Sequence, residues 1–314
     1  MIKLIYVCVG ADKKEYLNML RISLTSARRH MDDIDIVILT DSDTAEYLSA
    51  SDVAGEYRAR IEAADIPEGY NTVEKSRYLK TNMRRLIRGD FMFIDCDTII
   101  CEDISGLRIP GSVCMVMDEH CLLDEQENGG AAIRRAAQQR GLDLSSCKRY
   151  FNSGVIMSAD DETALRFFDS WFRLWDSTRR EGMHQDQYSL NAANCETDVI
   201  TELDGTWNCQ LTSGYRAFGY LRKVKVLHYL SAQPHGIYRL NDADFLRGDI
   251  SREEIDRITE HPEHQFRAFS FYADDSPEHI VMQGSHYSLT FRIYTRHPKL
   301  YRFGEKLLSV FRKK

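Results

Sequence analysis

Residues Phe91-Met92-Phe93-Ile94-Asp95-Cys96-Asp97-Thr98 set four large apolar side chains directly before two carboxylates. The apolar run predicts a strand buried on both faces, and open parallel sheets bind ligands outside the carboxyl ends of their strands. In extended backbone, positions i and i+2 project to one side, so Asp95 and Asp97 share a direction and Cys96 points away. Two carboxylates so placed suit a hard divalent cation, Mg²⁺ or Mn²⁺, and either would hold a diphosphate. The triplet has competitors. Asp-x-Asp occurs four times, at 33/35, 41/43, 95/97 and 242/244, and an acidic turn that caps a helix is spelled the same way.

A second chemistry fits the same octet. A hydrophobic strand leading into Asp-x-Asp-x-Thr opens the haloacid-dehalogenase-like phosphatases, where the first Asp is a phosphoryl-accepting nucleophile. Here that residue would be Asp95. Ninety residues precede the strand, however, and the nearest second acidic pair, Asp274-Asp275, follows a poor strand.

Three further segments carry polar groups at the ends of apolar runs. Asn152-Ser153-Gly154 precedes Val155, and the glycine would let a ligand approach the backbone; an ordinary turn has the same composition. His184-Gln185-Asp186-Gln187 precedes a helical stretch, where Asp186 also fits an N-terminal cap. Val224–Leu227 delivers His228 at a strand end, as a ligand or as a structural histidine. His261 and His264 stand three apart without partner cysteines, which fits a solvent-facing loop or helix start better than zinc.

The elements that must position these groups alternate. Ile2–Val9 is an unbroken apolar run, followed by Leu17, Leu20, Leu24 and Ala27 at helical spacing. Ile34–Leu39 is a second strand, Val73–Ile87 a basic helix, and Phe91–Ile94 a third strand. Ser112–Met117 and Gly154–Met157 continue the pattern, with Leu165, Phe168, Phe172 and Trp175 on one helical face. This order predicts an α/β fold with a mostly parallel, Rossmann-like sheet and flanking helices. Past about residue 230 the text turns polar and helical, a C-terminal extension.

Of 314 residues, 41 are Lys or Arg and 48 Asp or Glu, a net charge of −7 that excludes a globally basic nucleic-acid binder. The charge is unevenly spread: residues 290–314 hold eight bases and one acid, a +7 tail on a −14 body. No stretch reaches the roughly 20 apolar residues that span a bilayer. Met1–Gly10 reads as a strand, not a secretory signal. Eight cysteines without a C-x-x-C pair, several inside apolar runs, read as reduced thiols in a cytoplasmic protein.

Taken in order, these pieces resemble the retaining glycosyltransferases related to glycogenin and to the bacterial lipopolysaccharide α-galactosyltransferases, which have the GT-A fold. The resemblance runs from Tyr6 to about His235. It rests on Gly10-Ala11-Asp12 and Tyr16 after the first strand, Arg77 in the next helix, and Asp95-Cys96-Asp97. It continues through Asp118, Phe151-Asn152-Ser153-Gly154, Gln185-Asp186-Gln187 and His228-Tyr229. It implies a catalytic domain over 1–235 and a helical extension over 236–314. It also implies a UDP-sugar donor, a saccharide or lipid-linked glycan acceptor, and Mn²⁺ (or Mg²⁺) held by Asp95, Asp97 and His228. Asp12 would bind the uracil N–H, Tyr16 would stack on the ring, and Arg77 would meet the phosphates or order this loop. Asp118, Asn152, Asp186 and Gln187 would surround the donor sugar, with Asp186 and Gln187 flanking the anomeric carbon. The family usually follows the metal-binding His with a glycine and a diphosphate-binding lysine, where this chain has Ser231 and Pro234. Another donor, His235, Lys80 or Arg77, would then serve the diphosphate, or binding would weaken. That departure keeps an inactive nucleotide-sugar-binding relative as an alternative to the active transferase.

The tail Pro298–Phe311 places Leu300, Tyr301, Phe303, Leu307, Leu308 and Phe311 among Lys299, Arg302, Lys306 and Arg312. A basic amphipathic helix with aromatics suits an anionic membrane surface, and equally a helix packed on the domain. Lipopolysaccharide transferases often work on lipid-linked acceptors at the cytoplasmic face, which implies a peripheral location at the inner side of the membrane.

Overall fold

A computed structural model describes residues 2–126, 129–182, 184–211, 215–221, 223–231 and 238–265, with 297, 299–300, 303–304 and 306–307 in the tail. The strands are β1 (Lys3–Val7), β2 (Asp35–Thr40), β3 (Ala59–Ala63), β4 (Phe91–Ile94), β5 (Thr98–Ile100), β6 (Val113–Val116), β7 (Val155–Ser158), β8 (Ile200–Leu203), β9 (Cys209–Gln210) and β10 (Val226–His228). The helices are α1 (Lys14–His30), α2 (Ser42–Ala50), α3 (Val53–Glu56), α4 (Thr72–Leu86), α5 (Gly130–Gln138), α6 (Glu162–Arg180), α7 (Gln187–Thr197), α8 (Phe218–Leu221), α9 (Ala243–Arg247) and α10 (Arg252–Glu260).

The main sheet has the order β3-β2-β1-β4-β7-β6-β8. Its pairings are parallel except at β7, which runs antiparallel to both β4 and β6. Alternation along the strands divides the core in two. Leu4, Tyr6, Ile36, Met92 and Ile94 face α1, whereas Ile5, Val37, Phe91 and Phe93 face α4 and α6. Burial on both faces is the physical reason that β1 and β4 read as unbroken apolar runs. A smaller sheet, β5-β10-β9, stands apart. It takes in the segment expected as a strand over Val224–Leu227, and the strand there is Val226–His228, so that His228 ends the strand itself.

The strands absent from the sequence reading are the ones with little pattern. β3 (ARIEA) and β8 (ITEL) are edge strands with exposed polar residues, and β5 and β9 are three and two residues long. Too few apolar residues repeat in any of them to distinguish a strand from a loop.

Helix α4 is fixed at both ends. Its start is a capping box, in which the Asn71 side chain accepts the Glu74 N–H and Glu74 accepts the Asn71 N–H. Near its end, the buried Arg84 guanidinium donates to the carbonyls of Ile87, Gly89 and Ala159, pairs with Asp160 at 3.2 Å and lies over the Phe91 ring.

Past residue 235, α9 and α10 pack on α1, with Asn18 Nδ2 donating to the carbonyls of Leu246 and Gly248. Leu246, Ile255 and Ile258 share one apolar cluster with Leu227 and Tyr229. Most of Pro298–Phe311 lies outside the described residues; of those described, Leu300, Phe303 and Leu307 are helical and exposed. No described helix is long and apolar enough to cross a membrane. All eight cysteines are free thiols.

Arg84→Met should leave three carbonyls and Asp160 without their donor and cost about 3 kcal/mol of stability. Urea unfolding measures it; a variant with the wild-type midpoint would contradict this anchoring of α4.

Candidate functional site

The carboxyl end of β4 is where the two sheets meet. Asp95 N donates to Gly154 O at 2.8 Å, and Thr98 Oγ1 donates to Asp95 O, which fixes the turn carrying both acids. β10 pairs antiparallel with β5 in a register that sets His228 opposite Thr98. His228 Nε2 is therefore 3.3 Å from Asp97 Oδ1, and one ligand atom each of Asp95, Asp97 and His228 lie within 4.8 Å of one another.

The far side of the imidazole is also fixed. Asn208 Nδ2 donates to Asn152 Oδ1 at 2.9 Å, so Asn208 Oδ1 faces His228 Nδ1, also at 2.9 Å. An accepting partner there puts a proton on Nδ1, and in the neutral imidazole the Nε2 lone pair then points toward the carboxylates. Gly154 makes room for this ring: a Cβ on it would lie 2.2 Å from His228 Cε1. Two carboxylates and a preset imidazole nitrogen are a donor set that fits a divalent cation of the Mn²⁺ type.

The other Asp-x-Asp triplets have structural roles. Asp41 caps α2 by accepting the Thr44 N–H, and Asp242 caps α9 through the Asp244 N–H. Asp35 pairs with Arg60 across β2 and β3.

Charge around the site is tightly paired. Lys80, 1% exposed, sets Nζ 3.0 Å from Asp95 Oδ1, 3.1 Å from Ser153 Oγ and 3.7 Å from Asp186 Oδ2. Arg77 Nε lies 2.9 Å from Asp186 Oδ1. Asp186 precedes α7, but its side chain makes no capping hydrogen bond. Burial opposes its ionisation, and Arg77 and Lys80 outweigh burial and hold the carboxyl below its ordinary pKa. Asp97 behaves alike: burial is overcome by His228 and by the Ser231 N–H, so it stays ionised. For Asp95 burial prevails over Lys80 and the pKa rises. Ser231 donates to Asp97 Oδ2 through its N–H and its hydroxyl.

Asp118, Asn152 and Gln187 also come together. Asn152 Nδ2 donates to Asp118 Oδ1 at 2.9 Å and lies 3.4 Å from Gln187 Oε1. Burial raises the Asp118 carboxyl despite these amides. Asn191 bolts α7 to this segment, accepting the Phe151 N–H and donating to Phe151 O.

Two cavities meet at Arg77, Asp95 and Asp97. The smaller, 210 Å³, is lined by Val7, Val9, Tyr16 and Cys96, whose thiol approaches Val7 O at 3.5 Å. The larger, 610 Å³, takes in Lys80, Asp118, Asn152, Asp186, Gln187 and His228. Asp12 is exposed and lines neither cavity. His235 lies outside the described residues. Asn208 and Asn191 escaped the sequence reading, and Ser153 was given no role of its own there. Ser153 sat inside a quoted motif, whereas isolated asparagines carry no spacing signal.

No protein-family model matches the sequence, and no curated protein matches it either. Solved structures do. Mouse xyloside xylosyltransferase 1 in its apo form superposes with a TM-score of 0.51 at 16% identity, covering 74% of this chain and 99% of its own. An active-site mutant of LgtC gives 0.53 at 13%, over 82% and 100%. The glycosyltransferase GlyE of Streptococcus pneumoniae TIGR4 gives 0.50 at 15%, over 88% and 66%. At these identities the fold is what is shared, and the chain has the GT-A glycosyltransferase fold.

Gly154→Ala should push the His228 ring off its position and weaken Mn²⁺ binding about tenfold or more, as loss of ligand orientation does elsewhere. Calorimetric titration reads this directly. Wild-type affinity in a folded variant would remove His228 from the proposed metal shell.

Proposed function

We propose that the chain is a metal-dependent retaining glycosyltransferase that moves a hexose from a UDP-sugar to a saccharide or lipid-linked acceptor. The observation that carries this reading is the convergence of Asp95, Asp97 and His228 where a small groove opens into a larger polar cavity. The groove, with the Tyr16 ring in its wall, suits the nucleoside; Asp12 is the residue proposed to reach the base. The larger cavity suits the sugar. Asp95, Asp97 and His228 would hold Mn²⁺ or Mg²⁺, which when bound would supply Lewis-acid stabilisation of negative charge on the diphosphate.

The protein's own groups do the rest. Arg77 would meet the phosphates, with Lys80 and His235 as further candidates. Asp186 would orient sugar hydroxyls from its paired position, and the Gln187 amide oxygen would face the electron-poor anomeric carbon. Asp118 and Asn152 would hold the ring between them. An amide is a poor nucleophile, so retention is assigned to same-face displacement. The anomeric C–O bond to the diphosphate breaks, and the acceptor oxygen bonds to that carbon on the same side. The hydroxyl proton passes to the departing phosphate oxygen. The GT-A fold leaves the phosphatase alternative at Asp95 without its scaffold. The proposed division, 1–235 for catalysis and 236–314 as extension, seats α9 and α10 on α1 and leaves the basic tail for an anionic membrane at the cytoplasmic face.

A panel of UDP-sugars with Mn²⁺ should show slow UDP release, lost by about 100-fold or more in Asp95→Ala and Asp97→Ala. Binding without turnover would identify an inactive relative, and full activity in both variants would sink the metal assignment.

Removing 298–314 should abolish sedimentation with anionic vesicles, at about 1 kcal/mol per basic group lost from the surface. Full-length protein that ignores such vesicles would end the membrane proposal.

A further inference from the structure

Two of the free thiols meet toward the C-terminal end of α7. Tyr188, Ala192 and Cys195 follow one another at helical spacing and share one apolar cluster with Leu142, Leu144 and Cys147. Cys147 is buried there, whereas Cys195 is half-buried and open to a small reagent. The two side chains are in hydrogen-bond contact. Sulfurs so placed need only a small side-chain rotation to bond.

The loop around Cys147 is tied down. Arg134, from α5, donates to the carbonyls of Leu144 at 3.2 Å and Cys147 at 2.7 Å, and the Cys147 N–H donates to Leu144 O at 3.1 Å. This sets the guanidinium near both sulfurs. The one S–H proton of Cys147 has two acceptors, Arg149 O at 2.9 Å and the Cys195 sulfur. The Cys147 thiol, the Ser146 hydroxyl and Arg134 hold the Cys195 thiol below its ordinary pKa, against burial and Asp143. Elsewhere burial prevails and pushes Cys114 and Cys121 up to about 11. A thiol that ionises readily, beside a second thiol and a cation, is the setting of a reactive cysteine with a resolving partner. Cys8 and Cys96 also meet, but Cys96 stands between Asp95 and Asp97, whose charge opposes a thiolate.

We infer that Cys195 and Cys147 form a peroxide-reactive site, with Cys195 as the attacking thiolate and Cys147 as the resolving thiol. The Cys195 sulfur bonds to one oxygen of a hydroperoxide and the O–O bond breaks. The second oxygen leaves as hydroxide or alkoxide and takes up a proton, and Cys195 becomes a sulfenic acid. The Cys147 sulfur then attacks the Cys195 sulfur, its proton joins the departing hydroxide, and water leaves. The two thiols lose two electrons, which the peroxide gains. The new bond fastens the segment before Asn152 to α7, which Asn191 already joins through Phe151. The inference stands whether or not the chain transfers a sugar.

For the test, reduced full-length protein is treated with hydrogen peroxide, its remaining thiols are blocked with N-ethylmaleimide, and its peptides are mapped by mass spectrometry. A peptide pair joined through Cys147 and Cys195 should form ahead of any other, and dimedone should label Cys195 in Cys147→Ser. In Cys195→Ser, Cys147 should oxidise about tenfold or more slowly than in wild type. Oxidation should raise the melting temperature of wild type by about 4 °C or more, with no such rise in the Cys147→Ser/Cys195→Ser double variant. The wild-type map decides the matter even where a serine variant misfolds. A Cys8–Cys96 bond that forms while Cys147 and Cys195 stay open to N-ethylmaleimide overturns the site. So does dimedone labelling of Cys195 no faster than of Cys114, and an unchanged melting temperature overturns the fastening of α7.

Discussion

Three carboxylates, Asp95, Asp97 and Asp186, are drawn together beyond the carboxyl end of the central strand β4, and everything around them answers to that charge. A buried carboxylate without a partner takes up a proton or disrupts the fold. Each of these is met by a basic group from another element: Lys80 and Arg77 from α4, His228 from β10. The positions of α4, α7 and β10 are therefore interdependent. The capping box and Arg84 hold α4, Asn191 holds the start of α7, and Asn208 holds His228. The pairing is also unequal, with Asp97 held ionised and Asp95 raised by burial. A divalent cation between them would favour the ionised form of both.

Close packing sets a second condition. The small sheet brings His228 against the chain at Gly154, where any side chain would collide with the ring. The glycine of Asn152-Ser153-Gly154 thus serves the imidazole directly, and Asn152 and Ser153 before it reach Asp118 and Lys80. Ser231 fits the same scheme. Its two hydrogen bonds to Asp97 fix the carboxylate from the segment that follows β10.

The central strands and the acidic octet were legible in the sequence because each depends on neighbours in the chain. Burial on both faces forces a contiguous apolar run in β1 and β4, and the i, i+2 geometry of a strand exit follows from backbone alone. The edge strands β3 and β8 were not legible, since a half-exposed strand is free to carry polar residues. Asp12 is a further case: the segment after β1 was legible as the strand's exit, while the exposure of Asp12 outside both cavities is a property of the packed surface.

By itself, then, the sequence determined the α/β alternation, the acidic strand exit and the uneven charge of body and tail, all properties of local order and composition. The tertiary structure decided which Asp-x-Asp triplet meets a histidine. Asp41 and Asp242 belong to the same Asp-x-Asp pattern, yet each is placed as the N-terminal cap of a helix. It also decided that Lys80 is a buried counter-charge and that Asn208 fixes the imidazole. The reason is the same in each case. A buried ion pair or an oriented ring depends on what lies within a few ångströms in space, and neither composition nor spacing encodes which distant segment will arrive there.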